Sequence, residues 1–180
     1  MLFDQTNVFG AYLIDLERRT DRRGFFARAW CPKEFGARGL STGLAQVNVS
    51  ANVRKGTLRG MHYQRAPHQE AKVVGCIRGA IYDVVLDLRP DSPTYLRWAA
   101  AELTAENHRS LYIPEGCAHG FQTLADDTDV HYLMFGEFSA QHACGYRFDD
   151  PAFSIAWPLP GPIVSDKDRT YPLLSKGAAR

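Results

Sequence analysis

The most regular hydrophobic pattern in the chain runs from Ala80 to Leu88. One face of an extended segment here would carry Tyr82, Val84, Leu86 and Leu88, and the other would carry Ile81, Asp83, Val85 and Asp87. Gly79 precedes the segment and Arg89 to Pro93 follow it, and the Gly and Pro residues at these two ends predict turns. The pattern predicts a β-strand. Its face with two aspartates suits the interior of a barrel that holds a polar ligand.

Several shorter apolar runs also predict strands, and helix signals are weak. The predicted short strands are Ala71–Ile77, Ser110–Ile113, Gly120–Leu124 and Val130–Phe135. Pro32 to Phe35 predicts one short helix, and Leu103 to Asn107 predicts a turn. Many short strands separated by Gly and Pro predict an all-β sandwich or closed barrel. Residues 1–180 are expected to form a single domain.

The composition narrows the functional classes. The 180 residues include 21 Lys plus Arg and 20 Asp plus Glu, a net charge of +1, so no bulk charge favours nucleic acid or a membrane surface. The four cysteines are widely spaced without a Cys-x-x-Cys pair, which predicts free thiols. The first residues do not resemble a signal peptide, and no apolar run is long enough to span a membrane. We therefore expect a cytoplasmic protein.

Two basic side chains are the first candidates for chemistry. His62 lies in the segment Leu58 to Gln64, and histidine is the side chain best suited to taking a proton near neutral pH. Lys72 begins an otherwise apolar strand, where a lysine facing a cavity can stabilise negative charge on a carbonyl oxygen. Each has a structural alternative: a hydrogen-bonded histidine, and a lysine that reaches solvent from a strand end.

A third candidate follows a turn. Pro114, Gly116 and His119 form a Pro-x-Gly-x-x-His pattern that predicts a tight turn delivering His119 onto the next strand. This pattern is also the second half of the cupin signature. Metal-binding cupins usually supply further ligands from an earlier His-x-His pair plus a Glu. Here only His62 occupies that region, so a catalytic metal is not predicted.

Two further segments are ambiguous by themselves. Tyr132 lies in a predicted strand, where a tyrosine commonly packs with its hydroxyl satisfied. Ser165 to Asp168 could orient a histidine with a carboxylate, yet such a polar run alone predicts a solvated turn.

Taken together, these segments resemble the dTDP-4-dehydrorhamnose 3,5-epimerase family over nearly the full chain. The order and spacing of the matching stretches form a much stronger signal than any single motif. These stretches are Asp21–Phe26, Gln46–Asn48, Lys55–Gln64, Gln69–Lys72, Ser92–Thr94, Pro114–Phe121, Asp149–Pro151, Trp157–Pro158 and Ser165–Asp168.

The resemblance implies a fold and a set of catalytic roles. The expected fold is a cupin-type double-stranded β-helix, or jelly-roll barrel, usually a homodimer with exchanged N-terminal strands and no cofactor. By resemblance, His62 is the base that removes a sugar proton, and Asp168 supports it. Lys72 stabilises the enolate, Tyr132 returns a proton from the opposite face, and His119 is the second active-site histidine.

The resemblance also implies contacts to a nucleotide-diphosphate sugar substrate. The implied contact residues are Arg23, Phe26, Gln46, Asn48, Arg59, Phe138 and Lys167. Arginine suits this role because it makes charge-assisted hydrogen bonds to phosphate. The implied reaction is epimerisation at C3, C5 or both carbons beside a C4 ketone, which acidifies both hydrogens.

Two positions depart from the family pattern, and four other functions stay open. Arg28 stands where the family commonly has Glu, and Ala143 where many members have Glu. These changes affect the expected nucleotide or sugar more than the chemistry. A single-centre epimerase or a 3,4-ketoisomerase on a related nucleotide sugar is the nearest alternative. A metal-dependent cupin and a non-catalytic sugar-nucleotide binding module are more distant ones.

Overall fold

The structure is a computed structural model, and it describes residues 1–174. Most of its regular elements are short β-strands. They are β1 Leu2–Gln5, β2 Tyr12–Asp15, β3 Arg19–Asp21, β4 Gly24–Phe26, β5 Gln46–Asn52, β6 Leu58–Gln64, β7 Ala71–Arg78, β8 Ala80–Asp87, β9 Trp98–Thr104, β10 Ser110–Ile113, β11 Cys117–Thr123, β12 Thr128–Phe135 and β13 Ala143–Gly145. The helices are α1 Pro32–Gly36 and α2 Asp166–Thr170. The prediction of a mainly β protein with a few short helices is confirmed.

Two antiparallel sheets face each other and enclose the main core. The larger sheet has the strand order β1-β2-β10-β7-β12-β5, and the smaller has the order β13-β6-β11-β8-β9. Strands β3 and β4 form a separate hairpin. Val74 and Leu111 from the larger sheet pack with Val85 and Phe121 from the smaller one. This apolar layer holds the two sheets together at one end of the barrel.

Strand β8 is buried on both faces. Its Ile81 and Val85 belong to the core between the sheets, as the alternation predicts. Its Val84 and Leu86 are equally buried, because the segment that contains Phe153 covers the outer surface of the smaller sheet. The aspartate face therefore points into the barrel, and the other face forms a second apolar layer.

Strand ends and the second helix differ from the sequence-based expectations. Strand β11 begins at Cys117, earlier than the predicted Gly120, so His119 lies inside the strand. The expected solvated turn at Ser165 to Asp168 is wrong. The Ser165 hydroxyl accepts the Asp168 backbone N–H at 3.1 Å and caps α2. Asp168 is thereby buried, with 5% of its surface exposed.

Strands β6 and β11 approach each other closely at two glycines. A Cβ built on Gly60 would lie 2.5 Å from the Gly120 Cα, so a residue larger than glycine does not fit there at this strand spacing. The register shifts at this point: His119 pairs with His62, whereas Phe121 pairs with Arg59. Because paired residues point to the same side, this bulge brings Arg59 and His62 onto one face although they are three positions apart.

The remaining expectations concern cysteines and membranes. All four cysteines are free thiols, as predicted. Among residues 1–174, no helix has the length and apolar character needed to cross a membrane.

Candidate active site

The smaller sheet presents two histidines side by side. His62 on β6 and His119 on β11 are register partners, so both side chains point into the barrel. Each imidazole is hydrogen-bonded to a carboxylate from another element. This arrangement gives the sheet two fixed histidine–aspartate pairs.

In the first pair, His62 binds Asp168 of α2. The His62 Nε2–Asp168 Oδ1 distance is 2.8 Å, and the Gly60 backbone N–H donates to the second carboxylate oxygen at 3.3 Å. Burial of Asp168 opposes its ionisation. The hydrogen bond and charge of His62 nevertheless hold the pKa of Asp168 below its ordinary value. An ionised Asp168 orients the ring and stabilises the imidazolium that forms when His62 takes a proton. His62 itself is 41% exposed, so the base can meet a ligand.

In the second pair, His119 binds Asp83 of β8. The His119 Nε2–Asp83 Oδ1 distance is 2.7 Å, and both side chains are almost completely buried. Burial raises the pKa of Asp83, while the nearby His119 and Lys72 oppose that rise. The His119 ring meets the Tyr132 ring edge-to-face at 5.9 Å between centroids. Asp83 therefore fixes a histidine that touches the predicted acid.

The larger sheet contributes a row of polar side chains opposite the histidines. Tyr132 on β12 pairs with Asn48 on β5, and Met134 pairs with both Gln46 and Lys72. Because alternate residues of a strand share a face, Gln46, Asn48, Tyr132 and Lys72 all lie on the inner face. Tyr132 also packs against the core between the sheets. The two sheets thus bring the predicted base and the predicted acid to opposite walls of one barrel.

Tyr132 is held in its protonated form. Burial raises the pKa of its hydroxyl strongly, and the negative charge of Asp83 adds to this effect. Arg59 opposes the rise. Tyr132 therefore stays protonated at neutral pH, as a residue proposed to be an acid must.

Lys72 is buried in an ion pair. Only 5% of its surface is exposed, and its Nζ lies 3.0 Å from Glu70 Oε1. The alternative of a lysine that reaches solvent is therefore wrong. Asp83 is also close enough for Lys72 to affect its pKa.

The substrate contacts expected near the barrel fall into two groups. Arg59 is held by Asn52, whose Oδ1 lies 2.8 Å from Arg59 Nε. Phe138 and Lys167 line a cavity of about 170 Å³ that His62 also lines, and Tyr171 completes this wall by packing its ring 5.7 Å from the His62 ring. A larger cavity of about 630 Å³, beside Tyr63, Arg89 and Tyr146, contains none of the predicted site residues.

Arg23 and Phe26 lie apart from this site within the chain. Both belong to the β3–β4 hairpin, where the Arg23 side chain is 84% exposed and Phe26 is 75% exposed. Arg23 pairs with Asp21 of the same hairpin at 2.6 Å. Arg28, one of the two departures, pairs with Glu34 at 2.9 Å. The structure brings ten of the twelve predicted residues to the barrel interior or its mouth and leaves these two outside.

Sequence reasoning assigned no role to four residues that bind the predicted ones directly or, in the case of Gln64, through Glu70. These are Asp83, Glu70, Gln64 and Asn52. Asp83 carried a signal, since it lies on the polar face of the clearest strand pattern. Asn52, Gln64 and Glu70 carried none, because hydrogen bonds between different strands leave no periodic trace in the sequence.

Metal ligation was tested on the described part of the chain. Within residues 1–174, no three His, Cys, Asp or Glu side chains converge in a metal-binding arrangement. The metal-free mechanism remains a prediction.

Comparison with known proteins identifies the family. The family model described as dTDP-4-dehydrorhamnose 3,5-epimerase matches residues 5–176. The dTDP-4-dehydrorhamnose 3,5-epimerase of Sinorhizobium fredii is 40% identical over 175 residues, covering 97% of this chain and 90% of the relative. The chain belongs to the dTDP-4-dehydrorhamnose 3,5-epimerase family. The predicted family and epimerase class are confirmed.

Solved structures of dTDP-4-dehydrorhamnose 3,5-epimerases share the architecture. The Bacillus anthracis enzyme, with TDP and PPi bound, superimposes with a TM-score of 0.92 at 42% identity, covering 96% of this chain and 99% of that one. The Legionella pneumophila enzyme, in complex with dTDP-4-keto-L-rhamnose, gives a TM-score of 0.88 at 32% identity, covering 96% and 92%. The predicted cupin-type β-barrel is confirmed.

Proposed function

We propose that this chain epimerises C3 and C5 of dTDP-4-dehydro-6-deoxyglucose, with His62 as base and Tyr132 as acid. The observation that carries the proposal is the placement of these two side chains on opposite sheets of one barrel. An epimerase must remove a proton from one face of the sugar ring and return it to the other. A base and an acid on the same wall would only restore the starting stereochemistry.

The proton is removed by His62. The C4 ketone acidifies the hydrogens on C3 and C5, and the His62–Asp168 hydrogen bond stabilises the imidazolium that results. The electron pair of the broken C–H bond moves into an enolate, whose negative charge is largely on the C4 oxygen. Lys72 and His119, from facing sheets, are the proposed donors to that oxygen. A positioned donor of this type contributes roughly 2.7–4 kcal/mol.

The proton is returned by Tyr132. Its raised pKa keeps the hydroxyl protonated, and transfer to the enolate carbon completes inversion at one centre. His62 then releases its proton to solvent, the Tyr132 phenolate regains one, and the sugar ring presents its second acidic carbon to the same pair. Arg59, Gln46 and Asn48 are the proposed contacts to the diphosphate and sugar, and Phe138 and Lys167 those to the base.

The test is deuterium incorporation into dTDP-4-dehydro-6-deoxyglucose in D₂O, followed by NMR beside an active family member. Deuterium at C3 and C5 with inverted configuration supports the proposal. Deuterium at one carbon would identify a single-centre epimerase with the same mechanism. Movement of the carbonyl from C4 to C3 would identify a ketoisomerase. No exchange would show that this nucleotide sugar is the wrong substrate.

We also propose that the chain works as a homodimer. Supporting this, the outer face of the larger sheet exposes Val47, Val49 and Ile77, and Val49 alone is 63% exposed. Val47 and Val49 are neighbours on the same face of β5, and adjacent exposed apolar side chains are typical of a surface covered by a partner. The protruding β3–β4 hairpin is proposed to bring Arg23 and Phe26 to the substrate bound by the other protomer.

Light scattering over a dilution series tests the dimer. A mass of two chains at micromolar concentration supports it, and Val49→Lys is expected to shift the equilibrium toward monomer. Val53→Lys, an exposed position beyond the end of β5, is the control. A monomer with full activity would contradict the proposal.

A further inference from the structure

Glu70 is a buried carboxylate for which the proposed reaction has no role. It immediately precedes β7, with 7% of its surface exposed, two positions before Lys72. Its Oε1 accepts from Lys72 Nζ at 3.0 Å, and its Oε2 accepts from Gln64 Nε2 at 2.7 Å. Taking a charged pair out of water is costly, and replacing it with apolar residues is often neutral or stabilising. Stability alone therefore gives little reason for this pair.

Gln64 connects Glu70 to the segment that carries Phe138. The Gln64 Oε1 accepts from the Ser139 backbone N–H at 2.6 Å, and its Nε2 also lies 3.1 Å from the Glu137 carbonyl oxygen. An N–H on one side and a carboxylate on the other leave only one orientation for the amide. Gln64 is thus fixed at both ends, with Phe138 between the two backbone groups that it binds.

The segment of residues 136–139 also packs directly against Glu70. A Cβ built on Gly136 would lie 3.0 Å from the Glu70 Cβ, so the chain leaving β12 packs directly against this side chain. Glu70 has little room to change its rotamer. A continuous path of contacts therefore joins residues 136–139, Gln64, Glu70 and Lys72.

Glu70 also determines where the Lys72 protons point. An ammonium has three donors, and Glu70 takes one of them in the part of the chain that the structure describes. Lys72 lies on the same inner face of the larger sheet as Tyr132, so its other donors are available to a ligand in the barrel. A lysine without this anchor has four rotatable bonds and no fixed position for Nζ.

We propose that Glu70 is a positioning residue, which through its bonds to Gln64 and Lys72 holds the lysine ammonium at the ketone oxygen and links it to the Phe138 segment. This inference rests on the proposed function, in which Lys72 stabilises the enolate. Glu70 does not touch the reacting atoms. It acts through Lys72, and its removal should matter only while Lys72 is present.

A double-mutant cycle tests this dependence. The proteins are the wild type, Glu70→Gln, Lys72→Met and the double variant, each assayed for deuterium entry from D₂O into dTDP-4-dehydro-6-deoxyglucose. Glu70→Gln keeps the side-chain volume but places an amide N–H₂ against that of Gln64 or against the ammonium. Loss of an oxyanion donor costs about 10²- to 10³-fold in kcat, and we expect misplacing it to cost roughly tenfold.

The expected result is non-additive. Glu70→Gln should lower kcat about tenfold in the wild-type background and less than about twofold in the Lys72→Met background, with KM nearly unchanged. An equal factor in both backgrounds would overturn the proposal, because Glu70 would then act independently of Lys72. A wild-type kcat in Glu70→Gln would overturn it as well.

Two controls separate the possible failures. Asp87→Asn alters another buried carboxylate, whose partner Arg89 lies outside the site, and should lower stability without changing kcat per folded molecule. If Glu70→Gln behaves like Asp87→Asn, its role is structural and the proposal fails. The wild-type exchange reports on the proposed function separately, since its absence would refute the reaction before any variant is compared.

Discussion

The barrel interior and the β3–β4 hairpin both carry residues predicted to act on one substrate, but these residues differ in burial and in the carboxylates that they bind. In the interior, His62, His119 and Lys72 each bind a carboxylate that is at least nine-tenths buried. On the hairpin, Arg23 and Phe26 are largely exposed, and Arg23 pairs with Asp21 of the same hairpin.

This difference separates chemistry from recognition. A single chain pre-organises every group proposed to move or stabilise a proton, because those groups are fixed by strand pairing and buried hydrogen bonds. Two of the residues proposed to contact the nucleotide, Arg23 and Phe26, are instead exposed side chains on a hairpin, where a second element would have to lie opposite them. Catalytic rate and substrate affinity should therefore respond to different parts of the molecule.

The largest effect is expected at the base. His62→Ala should lower the rate of solvent-deuterium exchange by about 10³-fold or more, since no other side chain can replace a positioned base. His108→Asn is the control, because this histidine packs against Phe25 of the hairpin and its positive φ of 54° suits Asn. Exchange at the wild-type rate in His62→Ala would show that another group is the base.

Tyr132→Phe should separate exchange from inversion. Proton removal by His62 continues, so deuterium still enters the substrate, whereas inverted product should form about 10²-fold more slowly without the acid. NMR of the recovered sugar measures both quantities. Tyr112→Phe removes a hydroxyl bound to Ser41 outside the barrel interior and should leave the ratio unchanged. Equal loss of exchange and inversion in Tyr132→Phe would contradict its role as acid.

Arg23→Ala should raise KM by about tenfold and leave kcat nearly unchanged, as expected for loss of one charge-assisted bond to phosphate. Arg22→Ala, on the same exposed hairpin, is the matched control. Steady-state kinetics at micromolar protein provide the measurement. If the KM of Arg23→Ala stays at the wild-type value, Arg23 has no part in substrate binding. The contrast between the hairpin and the barrel interior then has a different origin.

The smallest effect on activity is expected from Asp87→Asn, which instead reports on stability. Arg89, Ser92 and Thr94 donate to Asp87 and, despite its burial, lower the pKa of this carboxyl to about 2. Its contribution is complete above its unfolded pKa near 4 and is lost as the pH falls through 2.

Asp87→Asn should lower the free energy of unfolding by roughly 3 kcal/mol at pH 7, since it removes one partner of a buried ion pair. Thermal unfolding between pH 2 and pH 7 should show this difference shrinking below about pH 4. Asp149→Asn breaks an exposed pair with Arg147 and should change stability by less than about 1 kcal/mol. A constant difference across the pH range would contradict the assignment.

The strands and their inner faces were predictable, because alternation is a property of each segment alone. Ala80 to Leu88 shows this well: the pattern identified the strand and placed Asp83 on the inner face. What the pattern could not supply is a partner. That Asp83 meets His119 depends on β8 and β11 being neighbours, and sequence separation says nothing about that contact.

The catalytic set depended on resemblance rather than on local pattern. Asp168 illustrates the reason: its polar surroundings predict a solvated turn, and only docking of α2 against β6 buries it beside His62. Arg59 and His62 present a second case. Regular alternation would place them on opposite faces, and a bulge invisible in the sequence brings them together. The roles of these side chains await the kinetic tests above.

The contact between Gly60 and Gly120 has a consequence for protein engineering. These glycines join the strands that bear the two histidines, backbone against backbone, with no side chain between them. This close approach holds β6 and β11 together beside the paired His62 and His119. We expect libraries that vary the mouth around Phe138, Ala143 and Lys167 to change the nucleotide preference while the backbone that carries the proposed proton-transfer residues is left unaltered.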